Sequence, residues 1–147
     1  MKFDAGQLRE FKRKLRKLGD ESFAIMKAAE EKAVAPIVAD AQRRCPQRSG
    51  VMAESIGAIQ RTYRGSGTVI TVIGPQSGFE EASAIEYLGR PHDPTKIGHL
   101  VEYGHGGPHP ARPHPFLRPA IDANVDAASA ILVRELTTRI ERAVANG

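Results

Sequence analysis

The stretch SIGAIQRTYRGSGTVITVI, residues 55–73, contains the clearest strand signal in the sequence. Its second half, Thr68 to Ile73, is rich in β-branched residues, which favour extended backbone because their side chains fit a pleated surface. Its first half, residues 55–63, shows a weaker alternation of apolar residues with a period of two. The glycine-rich residues 64–67 separate the two halves and are typical of a flexible turn. Together they predict a β-hairpin.

The 45 residues before the loop at Pro46 favour helix. A first apolar stripe has spacings of three and four and consists of Leu8, Phe11, Leu15 and Leu18. Gly19 is predicted to end or bend this helix, and Asp20-Glu21-Ser22 offers N-cap residues for a second one. The apolar face of the second helix consists of Phe23, Met26, Ala33, Ile37 and Ala41. Pro36 lies within that pattern and predicts a kink or a restart, because proline lacks an N–H and crowds the preceding turn.

The region after the hairpin is irregular in its first part. A short helix or strand is predicted near residues 82–88, and residues 90–94 are predicted to form an exposed loop. His99 to Tyr103 is predicted to be a short strand closed by the glycine that follows. Residues 105–115 contain four prolines and two glycines, so we expect an extended, polyproline-like path.

Residues 116–145 again favour helix. The predicted apolar stripe steps by three or four and consists of Leu117, Ile121, Val125, Ala128, Leu132, Leu136, Ile140 and Val144. Pro119 fits the first turn of such a helix, where its missing N–H costs little.

The chain of 147 residues is short enough for one domain. The pattern predicts an α+β fold with N-terminal helices, a small and mostly antiparallel sheet that includes the hairpin, and a long C-terminal helix packed against it. We divide residues 1–147 into a helical part at 1–45, a sheet region at 55–103, a Pro- and His-rich loop at 104–115 and a C-terminal helix at 116–145.

The charge of the chain is mildly positive, with 21 Lys and Arg against 17 Asp and Glu and a net charge of +4. The excess is concentrated in a basic block near the N-terminus, opposed within its range only by Glu10. This basic block consists of Arg9, Lys12, Arg13, Lys14, Arg16 and Lys17. It has two interpretations: a solvated helix face, or a contact with DNA phosphates or an acidic partner.

Potential metal ligands are concentrated between residues 99 and 114. They are His99, Glu102, His105, His109 and His114. His105 and His109 have the spacing of a helical zinc pair, but the Gly-Gly-Pro between them forbids that helix. Histidines that face solvent or a partner are therefore favoured over a metal site, and no cofactor is predicted. We also find no paired acid and base, no nucleophile elbow and no phosphate-binding loop, so the chain is not predicted to be an enzyme.

The single cysteine, Cys45, excludes an internal disulfide and fits a protein made in a reducing cytoplasm. No stretch approaches the ~20 apolar residues of a membrane span. The charged N-terminus is not followed by an apolar run, so no secretory signal is predicted.

Three short segments, in their order along the chain, are similar to those of a known family. They are Pro46–Ile56 (proline, two residues, Ser-Gly, then Ser-Ile), Leu100–Gly104 (Val-Glu-aromatic-Gly) and Pro113–Ala120 (Pro-Phe-apolar-Arg-Pro-Ala). The chain thus resembles the head–tail joining, or tail-completion, proteins of long-tailed double-stranded DNA phages, a group related to the Z-type minor tail protein of phage lambda. The resemblance covers roughly residues 20 to 145. It departs from the family at His105, where threonine is common.

The resemblance implies a structural protein of the virion neck, made in the cytoplasm of a host bacterium. Its partners would be further copies of itself in a ring of six, the neighbouring connector or head-closure protein, and the tail-terminator or tail-tube protein. The basic block would make non-specific contact with DNA in the channel. The predicted subunit or partner contacts are Glu102, Tyr103, His105, His109, Phe116 and Arg118. The alternative is a small zinc- or nucleic-acid-binding module that uses the His-rich loop or the basic helix.

Two of these positions carry a more specific expectation. Glu102, in the predicted strand, is expected to point away from Val101 and Tyr103, toward Arg118 or a neighbouring subunit. Phe116 is expected to be buried as an apolar anchor for the loop.

Overall fold

A computed structural model describes residues 5–46, 50–79 and 93–145, except for the side chains of residues 5–18, 20 and 144. The elements are α1 (Ala5–Arg44), α2 (Val51–Ser55), β1 (Ile56–Tyr63), β2 (Thr68–Pro75), α3 (Pro94–Tyr103) and α4 (Leu117–Ala145). This arrangement of helices around an antiparallel hairpin confirms the predicted α+β class. The element predicted near residues 82–88 lies outside the described residues.

Helix α1 is one continuous element of 40 residues, roughly 60 Å long. It passes through both Gly19 and Pro36, so the predicted helix end at Gly19 and the predicted restart at Pro36 are wrong, while the alternative bend at Gly19 and kink at Pro36 stay predictions. A glycine inside a helix costs only about 1 kcal/mol, and most helical stability in a protein comes from packing. Both α4 and the hairpin pack on α1, and these contacts outweigh the local signals.

The predicted hairpin is confirmed. β1 and β2 pair antiparallel from Ile56 opposite Pro75 to Tyr63 opposite Thr68, so β2 runs two residues beyond its predicted end. One face of the hairpin lies on α1. There the side-chain amide of Gln60 donates to the carbonyl of Lys27 over 2.7 Å, and the hydroxyl of Thr71 donates to the carboxylate of Glu30.

Residues 99–103 belong to helix α3, so the predicted short strand is wrong. The start of α3 explains why: the Asp93 carboxylate accepts the backbone N–H of Thr95 over 2.9 Å, and Pro94 occupies the first turn. Pro94 is buried rather than part of an exposed loop. Gly98 lets α3 approach β2, since a Cβ there would lie 2.7 Å from the Cγ of Pro75.

The core lies where the end of α1, α2, the start of β1 and the start of α4 meet. Its buried residues are Ala41, Cys45, Met52, Ala53, Ile56, Phe116 and Ala120. Phe116 is fully buried, as predicted. Cys45 is also buried, and its removal from water raises the pKa of the thiol to about 11. This cluster joins the last turn of α1 and the start of α4 to the hairpin.

Helix α4 packs along α1 with only part of the predicted stripe. Of that stripe, Ala128 is buried and Leu117, Leu132 and Leu136 are half-buried, whereas Ile121, Val125 and Ile140 are exposed. Ala120, outside the stripe, is also buried. Small residues on both helices explain the shift, since Ala29, Ala33 and Ala41 are buried on α1 and small side chains let two helices approach closely. Four larger apolar residues of α4 are left exposed, namely Ile121, Val125, Val133 and Ile140.

Polar contacts fix the register of these two helices. The Asp40 carboxylate, 5% exposed, accepts the side-chain amide of Asn124 over 2.9 Å and also binds Arg43 and Arg44. The hydrogen bond and charge of Arg44 hold the pKa of Asp40 below its ordinary value despite its burial, with help from Asn124 and Arg43. Farther along, the ammonium group of Lys32 lies 3.0 Å from the carboxylate of Glu135.

Candidate functional site

Glu102 joins α3 to the start of α4. Its carboxylate accepts three consecutive backbone N–H groups, from Phe116 over 2.7 Å, Leu117 over 3.0 Å and Arg118 over 3.1 Å. The first N–H groups of a helix have no partner within the helix, and its N-terminus favours negative charge. Glu102 thus caps α4 from a position 14 to 16 residues earlier in the chain.

The protonation of Glu102 follows from this geometry. The side chain is only 5% exposed, and burial by itself raises the pKa of a carboxyl group. The three N–H donors and the nearby Arg118 guanidinium outweigh burial, so the pKa of Glu102 lies below its ordinary value. The cap is therefore an anion at neutral pH. The expected direction toward Arg118 is confirmed, since the Arg118 N–H is one of the three donors, although a helix rather than a strand carries Glu102.

The Pro- and His-rich residues 104–115 form a closed arm between α3 and α4. His105 and Ala111 exchange two backbone hydrogen bonds of 3.1 and 2.9 Å, and the N–H of His114 donates to the carbonyl of Val101 over 2.8 Å. Gly104 makes the closure possible: its φ is 73°, and a Cβ would lie 2.7 Å from the carbonyl oxygen of Ala111. The arm therefore turns back on itself, which corrects the expected extended path.

The outer part of the arm is exposed. Every residue from His105 to Pro115 is exposed to solvent, so a rigid base presents the tip at residues 106–110. His99, also exposed, lies on α3. Within the described ranges, no group of three or more His, Cys, Asp or Glu is placed to hold a metal ion.

Beside the base of the arm, the Arg118 guanidinium stacks over the Tyr103 ring at 5.3 Å from its centroid. Tyr103 is 64% exposed, so this pair forms a surface. Of the six predicted contact residues, the structure thus gathers Glu102, Tyr103, Phe116 and Arg118 at the base of the arm. His105 is at the base as well, and His109 is near the tip. Glu102 and Phe116 are buried, which leaves the other four accessible to a partner.

The basic block lies within the first part of α1, which is helical. The side chains of Arg9, Lys12, Arg13, Lys14, Arg16 and Lys17 lie outside the described residues.

Two exposed apolar surfaces were missed in the sequence. The outer sheet face consists of Ile59, Arg61, Tyr63, Ile70 and Val72, all exposed. The outer α4 stripe consists of Ile121, Val125, Val133 and Ile140, also exposed. The sequence did indicate the outer sheet face. Between Val69 and Ile73, apolar residues occupy both faces of the predicted strand, and a strand with two apolar faces is usually covered on both.

No helix in the described part of the chain is long and apolar enough to cross a membrane.

The comparisons with known proteins identify the family. The family model described as "Bacteriophage HK97-gp10, putative tail-component" matches residues 9–104, which is about two thirds of the chain. The match includes most of α1, the hairpin and α3 and ends at Gly104, so it is shorter than the resemblance noted in the sequence. No curated protein and no solved structure gives a significant match. The chain therefore belongs to the HK97-gp10-like family of phage tail components.

Proposed function

We propose that this chain is a structural protein of the phage neck, which joins the DNA-filled head to the tail as part of a ring. The observation that supports this role is the arm. Both of its ends are fixed, by the Glu102 cap and by the His105–Ala111 pair, while its tip is exposed. A rigid base with an exposed, proline-rich tip suits recognition of a neighbouring protein at low entropic cost.

The proposed partners are other virion proteins: further copies of the chain in a ring of six, the connector or head-closure protein on one side, and the tail-terminator or tail-tube protein on the other. In this role the chain would bind neighbouring virion proteins and seal the joint between head and tail, which requires neither catalysis nor a cofactor. Tyr103, His105, His109 and Arg118 are the proposed contacts, since all four are exposed around the arm.

The test exchanges the tip of the arm and keeps its base. Residues 106–110 are replaced by a Gly-Ser segment of equal length in a phage that depends on a plasmid-borne copy of this protein. The variant chain should fold and remain soluble, because the replaced residues are exposed. Infected cells should accumulate full heads and free tails, counted by electron microscopy.

A matched control replaces residues 64–67, the exposed turn of the hairpin, in the same way. That variant should yield complete particles. Complete, infectious particles from the tip variant would contradict the proposed role of the arm.

A contact between the basic block and DNA in the channel is part of the proposal. Replacing Arg13, Lys14 and Lys17 by glutamate in one chain reverses charge without shortening the side chains greatly. The far-ultraviolet circular dichroism should be unchanged, and retention of DNA in the particles should fall, most of all at low salt. Unchanged retention and infectivity would reduce the basic block to a solvated helix face.

A further inference from the structure

The outer sheet face is apolar but has a cation within it. Ile59 pairs with Val72 across the strands, and Arg61 pairs with Ile70. These side chains lie on the face opposite Gln60 and Thr71, which contact α1. Each of the three aliphatic residues is close to half exposed. An apolar sheet face is normally covered by a second layer, and the described residues do not supply one.

The outer α4 stripe has the opposite charge beside it. It extends from Ile121 to Ile140, over most of the helix. Asp122 and Asp126 adjoin its first half and are exposed. Among the described residues, Arg61, Asp122 and Asp126 have no salt-bridge partner. The two surfaces therefore match in apolar character and complement each other in charge.

The fold holds these surfaces apart within one chain. Helix α1 contacts α4 through Lys32 and Asp40, and it contacts the hairpin through Lys27 and Glu30. The exposed side of each element faces outward from this shared support, so neither surface covers the other in the same molecule. A second copy of the chain presents both of the missing partners.

We propose that the outer α4 stripe of one copy packs on the outer sheet face of the next, with Arg61 facing Asp122 and Asp126. A helix on a sheet is a standard two-layer packing. Because the two surfaces differ, the contact is head-to-tail and repeats from copy to copy, which generates a ring when the rotation closes. This inference rests on the proposed ring and names the contact that builds it.

Cysteine cross-linking tests the pairing in assembled particles. Particles are made with a mixture of Val72→Cys and Val125→Cys chains, and a short bismaleimide is added. Covalent dimers should form in the mixture and not with either variant alone, and a chain with both substitutions should give a ladder of oligomers. Native Cys45 can stay, since it is buried.

Ala123→Cys provides the matched control. It is exposed and lies two residues before Val125, about 200° away around the helix. It should not cross-link to Val72→Cys. Equal cross-linking of Ala123→Cys, efficient dimers from Val72→Cys alone, or no cross-link in particles that contain the ring would each overturn the inference and leave the proposed function standing. Particles in which the chain forms no ring would overturn both.

Charge reversal gives an independent measurement. Arg61→Glu should lower the yield of infectious particles by at least about tenfold, because it places like charges together. Adding Asp122→Arg and Asp126→Arg to the same chain should restore most of that yield. Arg134→Glu makes the same charge change elsewhere on α4. Arg134 is exposed and lies at least about 100° around the helix from every stripe residue, so this variant should leave the yield unchanged. Failure of the double reversal to rescue Arg61→Glu would overturn the pairing.

Discussion

The junction between α3 and α4 and the outer sheet face differ in how well their side chains are buried and hydrogen-bonded. At the junction, Glu102 satisfies three N–H groups and Phe116 is fully buried. On the outer sheet face, Ile59, Ile70 and Val72 are close to half exposed. The first region is complete within one chain, whereas the described residues leave the second uncovered. Changes at the junction should therefore cost the monomer its stability, and changes on the sheet face should cost assembly.

The largest expected effect is at Phe116, whose side chain fills the core beneath the junction. Phe116→Ala should lower the free energy of unfolding by about 3–5 kcal/mol, because it leaves a cavity in a closely packed cluster. Chemical denaturation measures this directly. A loss of less than about 1 kcal/mol would mean that the junction is not closed as described.

Glu102→Gln should have the next largest effect, since it removes the charge and puts an amide N–H₂ where an acceptor is needed. We expect a loss of about 1–3 kcal/mol, in the range of a lost helix cap or charged hydrogen bond. Glu54→Gln, at an exposed position, should change stability by less than about 0.5 kcal/mol. Equal losses in the two variants would show that the cap contributes nothing.

Acid should weaken the junction specifically. The pKa of Glu102 is lower in the folded chain than its ordinary value of 4.5, so the unfolded chain binds protons first as the pH falls. The stabilisation from the cap is complete above that ordinary value and is lost as the pH falls through the lower, folded value. The stability difference between the native chain and Glu102→Gln should accordingly shrink between about pH 7 and about pH 3. A constant difference would contradict the anionic cap.

The smallest effect on the monomer is expected on the outer sheet face. Val72→Thr keeps the β-branched shape at a position that is half exposed, so the unfolding free energy should change by less than about 1 kcal/mol. Assembly should nevertheless fall, measured as the fraction of chain in rings by native mass spectrometry. A variant that loses stability but keeps its rings would reverse the comparison between the two regions.

Local patterns predicted the elements better than their faces. The hairpin and α4 follow from periodicity and turn residues, which act over a few positions. The side of α4 that packs on α1 follows only in part, since α4 has apolar residues on two sides and the choice depends on the small residues of α1, such as Ala29 and Ala33. Gly19 and Pro36 would end the helix only if tertiary contacts did not stabilise it, and α4 and the hairpin supply such contacts.

Several residues at the base of the arm were singled out in the sequence, but the contacts that they make within the chain were not predicted. Glu102, Tyr103, Phe116 and Arg118 were recognised from the resemblance, but the contact of Glu102 with α4 spans 14 to 16 positions, beyond any local pattern. The strand prediction at His99–Tyr103 rested on five residues alone. Asp93 and Pro94, a few positions earlier, are an N-cap and a first-turn proline and indicate the start of a helix.

Gly104 constrains how this chain can diverge among related phages. A side chain at position 104 would collide with the backbone of Ala111 and Pro113. A substitution of Gly104 is therefore expected only together with a change in the path of the chain at these two residues. Residues 106–110 are exposed and lie beyond the closing pair, and a Cβ at Gly106 or Gly107 would meet no neighbour, so among them only the positive φ of Gly107 favours glycine. The length and sequence of the tip can therefore change while α3 and α4 stay in place.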